Sequence, residues 1–135
     1  MPGIDDAAFL FNDSKTNYQD AVDSCQRIGG KVFEPTEATN NPVYKWVNEK
    51  SSSYLIWLGI KWSKNHSEFQ YQSNGTKISW SNFRDTSLTS TSCGGISCAT
   101  VSMYIAGYGT RYSGDWEIGT GIVEEWPTVC ETTVS

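Results

Sequence analysis

The chain has 135 residues, one domain's worth, enough for a real core and small enough to gain from cross-links. Its formal net charge of −5 argues against nucleic acid or an anionic membrane as the main partner. No apolar run approaches the roughly 20 residues a membrane span needs, so neither nucleic acid nor membrane is an expected partner.

The first residues, Met1-Pro2-Gly3-Ile4, show no positively charged segment leading into an apolar one. If the protein is exported, this is expected to be the mature form with an added or retained Met. Ala8-Phe9-Leu10-Phe11 reads as a first strand. Over 16–28, Tyr18, Ala21, Val22 and Cys25 fall on one face at helical spacing, and Gly29-Gly30 ends that helix. Lys31-Val32-Phe33 is a short extended piece. A second helix is expected from Asn41 as N-cap, with Pro42 at the first helical position. It runs out near Lys50, with Val43, Trp46 and Val47 as its buried stripe.

Tyr54-Leu55-Ile56-Trp57-Leu58-Gly59-Ile60 is the one continuous apolar run of strand length. Its Ile, Trp and Tyr content, and a Gly that would break a helix, favour a strand buried on both faces. Phe69-Gln70-Tyr71 then leads into Ser73-Asn74-Gly75-Thr76, whose Asn-Gly is a strong hairpin signal. Residues 78–83 follow. Residues 84–97 are almost free of apolar side chains and read as a long surface loop, a kind that is often functional. Residues 98–105 alternate as a strand, 107–114 form a Gly/Tyr-rich turn, Trp116-Glu117-Ile118 is a short strand, and 125–131 close the chain. Helices early and strands late give a single α+β domain over 1–135.

Four cysteines, Cys25, Cys93, Cys98 and Cys130, allow three intramolecular pairings. Three sequons accompany them: Asn12-Asp13-Ser14, Asn65-His66-Ser67 and Asn74-Gly75-Thr76. Together they point to a secreted protein in an oxidising, extracellular setting.

Catalytic chemistry finds little to work with. His66 is the only histidine and sits in a polar sequon, whereas zinc sites need several such ligands. Glu124 and Glu125 are neighbours that point apart on a strand, so they read as solvated charge rather than an acid/base pair. No Ser–His–Asp set, phosphate-cradling Gly loop or zinc helix occurs. No catalytic residue is assigned, no cofactor is expected, and the chain is read as a non-enzyme. Trp46, Trp57, Trp80 and Trp116 read as core, while Trp62 and Trp126 stay open. Tyr104, Tyr108 and Tyr112 form a group of which the last two fall in the Gly-rich turn beside Arg111 and Asp115. Such tyrosines either pack down over the core or stack on the C–H face of a sugar ring while polar groups take its hydroxyls.

Residues 9–25, Gly29-Gly30-Lys31-Val32, the helix at 41–47, and Trp57-Leu58-Gly59-Ile60 come in a telling order. Phe69-Gln70-Tyr71 with Asn74-Gly75, Trp80-Ser81-Asn82-Phe83, Cys98, Gly114-Asp115-Trp116 and Thr128-Val129-Cys130-Glu131 continue it. The whole series resembles the C-type lectin-like domains, and among them the secreted invertebrate, bivalve-type lectins that lack the calcium-site motifs. The resemblance implies a C-type lectin-like fold, with two helices flanking antiparallel sheets and a long loop region. It also implies a Cys25–Cys130 bridge, worth about 4 to 5 kcal/mol in the chain-entropy model. The family's second bridge would join Cys98 to a cysteine near Gly121, and none stands there. A Cys93–Cys98 staple across Gly94-Gly95 is expected instead. The rival is a Cys93 that bridges to another chain while Cys98 stays free.

Departures from the family pattern bear on function. Members that bind sugar through calcium carry Glu-Pro-Asn or Gln-Pro-Asp in the long loop and Trp-Asn-Asp on the later strand. Calcium takes about six to eight oxygen ligands. Here 84–97 holds no Pro, Glu or Asn and one carboxylate, Asp85, and the later motif reads Trp116-Glu117-Ile118. The only Glu-Pro, Glu34-Pro35, lies far upstream. No metal is therefore expected. The resemblance places a sugar site between the long loop and the turn before Trp116. Asp85 and Asp115 would accept hydrogen bonds, Arg84 or Arg111 would donate, Tyr108 or Tyr112 would stack, and Glu117 adjoins them. The expected function is calcium-independent recognition of N-acetylated hexosamines (GlcNAc/GalNAc type), in innate recognition or agglutination, by a homodimer or related oligomer. The alternatives are a lectin-like module for a protein partner, or a surface that adsorbs to mineral or to ice, at which Thr86, Thr89 and Thr91 hint.

Overall fold

A computed structural model describes residues 7–51, 53–63, 65–66, 68–83, 100–106, 113–119 and 125–133. In chain order these form β1 (Ala7–Thr16), α1 (Tyr18–Arg27), β2 (Lys31–Val32), α2 (Asn40–Asn48) and β3 (Leu55–Ser63). There follow β4 (Glu68–Tyr71), β5 (Thr100–Tyr104), β6 (Trp116–Gly119) and β7 (Trp126–Thr133). The sheet order is β1-β7-β3-β5-β6, with β2 added to β7 and β4 to β3. The first and last strands thus lie side by side, Phe9 opposite Glu131 and Leu10 opposite Cys130.

Strand β3 contains the expected doubly buried run, Leu55 through Ile60, but Tyr54 is exposed and precedes it, and the strand continues to Ser63 through residues expected to turn. Its faces feed two clusters. Ile56, Leu58 and Ile60 enter the larger one with Phe9, Phe33, Val43, Val47, Met103 and Trp116. Trp57, 1% exposed, enters the smaller one with Tyr18, Val22, Cys25, Val32 and Cys130. Two-sided burial explains why the run shows no alternation. Gly59 is fixed by backbone proximity. Its N–H donates to the Phe33 carbonyl at 2.7 Å, and a Cβ there would collide with the Val32 carbonyl oxygen.

Helix α1 buries the predicted face of Tyr18, Ala21, Val22 and Cys25. Asn17 caps it through Oδ1, which accepts the Asp20 N–H at 2.8 Å. At its end Gly29 takes φ +77° while Gly30 N–H donates to the Cys25 carbonyl at 2.9 Å, closing the helix as expected. The Cys25–Cys130 disulfide is present, with Cα atoms 5.3 Å apart, and ties α1 to β7 across 105 residues.

Helix α2 departs from expectation at its start. It begins at Asn40, not after Asn41, and the N-cap position falls to Thr39, whose side chain makes no capping bond. Thr36 and Thr39 instead exchange reciprocal bonds, each backbone N–H donating to the other's hydroxyl. Pro42 becomes the third helical residue, where the absent N–H is still no loss because the first turn's N–H groups lack intrahelical acceptors. The helix ends at Asn48, two residues short of Lys50. Val43 and Val47 are buried as expected, and Trp46 is half-buried against Phe11 with Lys50 over its ring.

Trp116, at 1% exposure, is core as expected, and Trp80 packs on it edge-on at 5.5 Å. The two open cases also resolve inward: Trp62 packs against the larger cluster and Trp126 against the smaller. His66 is exposed and contacts Ser63, and Glu125 is exposed, as read from the sequence. The loop over 84–97, the Cys93–Cys98 pair, residues 107–112 and Glu124 lie outside the described residues.

One carboxylate is buried that the sequence did not single out. Glu34, 8% exposed, takes the Lys31 ammonium at 2.9 Å on one oxygen and the Ser73 N–H at 3.4 Å on the other. Its own N–H donates to Glu131 Oε2 at 3.0 Å. Burial pushes the Glu131 carboxyl above its ordinary range, and the nearby Glu34 charge adds to the push. The Glu34 N–H and Lys31 only partly oppose it. A carboxyl raised on folding favours the folded state below its ordinary pKa, and that contribution is lost as pH climbs through the raised value. Glu131→Gln keeps an acceptor for the Glu34 N–H and sheds the charge. Its melting temperature is expected to exceed the parent's at neutral pH, with the gap closing in acid below the usual Glu pKa of about 4.3. Thermal melts of both proteins across that range check the sign.

Candidate functional site

The turn before β6 is built from below by α2. Gly114 sits at φ +92°, and a Cβ there would press on the Tyr44 ring at 3.0 Å and the Asn40 amide nitrogen at 3.2 Å. Glycine is therefore required twice over, by conformation and by space. The Gly114 carbonyl accepts two side-chain amides, Asn40 Nδ2 at 3.2 Å and Asn82 Nδ2 at 2.6 Å. Asn40, 1% exposed, also accepts the Trp116 indole N–H at 2.9 Å, so one buried amide clamps both ends of the 114–116 segment. Strand β5 holds the other side: Gly114 N–H donates to the Tyr104 carbonyl, and Tyr104 N–H donates to the Asp115 carbonyl at 2.8 Å.

An aromatic chain supports this frame. Trp62 meets Phe69 at 5.0 Å, Phe69 meets Phe83 at 4.9 Å, and Phe83 meets Trp116 at 5.3 Å. Trp116 N–H donates to the Asn82 carbonyl at 3.0 Å, which fixes the 80–83 segment along the start of β6. Of the residues expected to hold a sugar, Asp115 and Glu117 are described. Both are half-buried and lie one residue either side of Trp116. The Tyr104 hydroxyl donates to Glu117 Oε2 at 2.8 Å. Tyr104 is thus a buried strut under the site rather than part of an open platform. Arg84, Asp85, Tyr108, Arg111 and Tyr112, like Cys93 and Cys98, lie outside the described residues.

Two further clefts open elsewhere. One of about 360 Å³ lies between β1 and α1, lined by Asn12, Asp20, Asp23 and Arg27 among others. The other, about 320 Å³, lies beside Lys31, Ser73 and Glu131. Neither has an aromatic wall on which a sugar ring could stack. Among the described residues, no group of three or more His, Cys, Asp or Glu is placed to hold a metal ion.

No protein-family model matches the chain, and no curated protein matches it by sequence. Solved structures do match. SPL-1 in complex with GlcNAc superposes with a TM-score of 0.81 at 15% identity, over 98% of this chain and 92% of that one. The C-type lectin CEL-I from Cucumaria echinata gives 0.79 at 12%, over 99% and 95%. Human lithostathine gives 0.76 at 18%, over 97% and 95%. This chain has the C-type lectin-like fold.

Within this fold the expected strand–helix order, core strand and terminal disulfide are in place. Asn40 and Tyr44 were not singled out from the sequence, where Asn41 is read as the N-cap and Asn40 therefore falls before the helix. The signal was present: Asn40, Val43 and Val47 stand at i, i+3 and i+7, one stripe of a helix. Asn40→Ala would leave the buried Trp116 indole N–H without its acceptor, a loss of about 1 to 3 kcal/mol. Asn82→Ala leaves the Gly114 carbonyl its bond from Asn40 and is expected to cost less. Urea unfolding of the two variants should rank them in that order.

Proposed function

We propose that the chain is a secreted lectin that binds N-acetylated hexosamines, GlcNAc or GalNAc type, through its own side chains and without calcium. The observation that carries this reading is position 118. Where calcium-dependent members have an acidic ligand, Ile118 packs against the apolar core. Its neighbour Glu117 holds the Tyr104 hydroxyl. The long loop adds one carboxylate, Asp85, against the six to eight or so oxygens that calcium takes. The backbone likeness to a protein solved with GlcNAc supports a sugar ligand.

Without a cation to chelate vicinal hydroxyls, a site discriminates best where the ligand offers more than hydroxyls. The acetamido group supplies an amide donor, a carbonyl acceptor and a methyl. In this reading Asp85 and Asp115 accept hydrogen bonds, Arg84 or Arg111 donates, Tyr108 or Tyr112 stacks on the ring, and Glu117 completes the set. The chain acts by binding and not by catalysis, outside the cell, in innate recognition or agglutination.

Calorimetric titration with GlcNAc and GalNAc is expected to give the same affinity in excess EDTA as in excess calcium. A millimolar constant corresponds to about 4 kcal/mol. Asp115→Ala should weaken it about tenfold, or about 1.4 kcal/mol. Binding abolished by EDTA would remove calcium independence from the reading. No binding under either condition would favour a protein partner.

Monovalent binding this weak gains from multivalency, which adds roughly 10² to 10⁴ in avidity. Light scattering is accordingly expected to show a homodimer or related oligomer; a strictly monomeric profile counts against crosslinking.

A further inference from the structure

We propose that Asn74 is an N-glycosylation site, resting on the extracellular reading above, with a polyprenyl pyrophosphate-linked oligosaccharide as donor. Asn74 Oδ1 accepts two bonds from Thr76, one from its backbone N–H at 3.0 Å and one from its hydroxyl at 2.8 Å. Gly75, at φ +72°, lets the chain curl so that the third residue of the sequon reaches back to the first. The loop is closed beneath them by Tyr71, whose N–H donates to the Thr76 carbonyl at 2.8 Å and whose carbonyl accepts the Gly75 N–H at 2.9 Å. Ser73 through Lys77 are all exposed, so a bulky glycan on this turn meets open solvent.

The two side-chain bonds span three residues and need no tertiary partner. Such an Asx turn is available to a chain that has not yet folded. The β-branched Thr76 has few χ1 choices, which helps hold its hydroxyl on the amide oxygen.

The chemistry follows from that contact. A hydrogen bond on Oδ1 makes the Nδ2–H more acidic, and a base that takes this proton leaves the N–H bonding pair on nitrogen as an in-plane lone pair, which the carbonyl does not share. The nitrogen forms a bond to the anomeric carbon of the donor sugar. The bond from that carbon to the pyrophosphate oxygen breaks, and polyprenyl pyrophosphate leaves as an anion with the electron pair.

The test expresses the full chain behind a cleavable secretion leader in a eukaryotic host and collects both medium and luminal protein. Amidase release of glycans in heavy-oxygen water converts a glycosylated Asn to labelled Asp. Fragmentation of the peptide then separates Asn74 from Asn65, while Asn12 lies on another peptide. The label is expected at position 74. Asn74→Gln and Thr76→Ala should each lose one amidase-sensitive step in gel mobility, which Thr76→Ser keeps. Unlabelled Asn74 in the luminal protein overturns the proposal, and this readout on the parent chain does not depend on how any variant folds. Because the leader is supplied, export of the native protein is a separate question, answered by fractionating its source. A cytosolic native protein sinks the extracellular reading without altering the result at Asn74.

Discussion

The constraint on which the structure rests is that β3 separates two apolar clusters and must be covered on both faces. One face supplies Ile56, Leu58 and Ile60 to the core closed by α2, β5 and Trp116. The other supplies Trp57, which packs edge-on against Tyr18 at 5.4 Å and donates its indole N–H to the Thr16 carbonyl at 2.7 Å. At Gly59 the 32–34 segment runs so close to β3 that no side chain fits between. Covering both faces demands elements from both ends of the chain. This is why β7 lies between β1 and β3, and why α1 is bonded covalently to β7. The disulfide holds together what the doubly buried strand needs on its α1 side.

From this core, order is passed to the site by polar groups. The Asn40 amide sits on the same stripe of α2 as Val43 and Val47, so packing that stripe sets the amide's position. The amide in turn fixes the Gly114 carbonyl and the Trp116 indole, and these set where Asp115 and Glu117 leave the backbone. A buried amide with a donor and an acceptor in use is costly to disturb, because either partner left alone in a low-dielectric interior loses its water as well as its bond. The 114–116 segment is therefore tied to the core through both its ends.

What could be read from the sequence follows from how local each signal is. The apolar run of β3, the stripe of α1 and the Asn-Gly turn each declare themselves within a few residues, and each is found there, β3 shifted at its ends. The failures are residues whose environment comes from afar. Glu34 is buried because Lys31, Ser73 and Glu131 converge on it, and nothing in Glu34-Pro35 announces that. Asn40 is missed because the cap is read at Asn41, which leaves Asn40 outside a helix that in fact begins with it. Strand β1 extends through the polar 12–16 segment because Asn12 and Thr16 pair with Thr128 and Trp126 across a register shift, not because of their own β-propensity. For the proposed sugar site, Asp115 and Glu117 came from the resemblance rather than from any periodicity, and the described geometry brings them to one strand end.

The proposed loss of calcium is easier to accommodate given how this turn is held. A divalent ion in such a site does two jobs: it binds ligand oxygens, and its ligands order the loops that carry them. Here the 114–116 segment is held by hydrogen bonds from Asn40, Asn82 and β5. Conformational entropy of about 1 to 2 kcal/mol per fixed backbone residue is spent on folding rather than on binding. Against a monovalent sugar affinity of about 4 kcal/mol, not having to order even two residues on binding is a decisive saving. Under that proposal Ile118, packed against the core, serves the fold where a carboxylate would have served the ion.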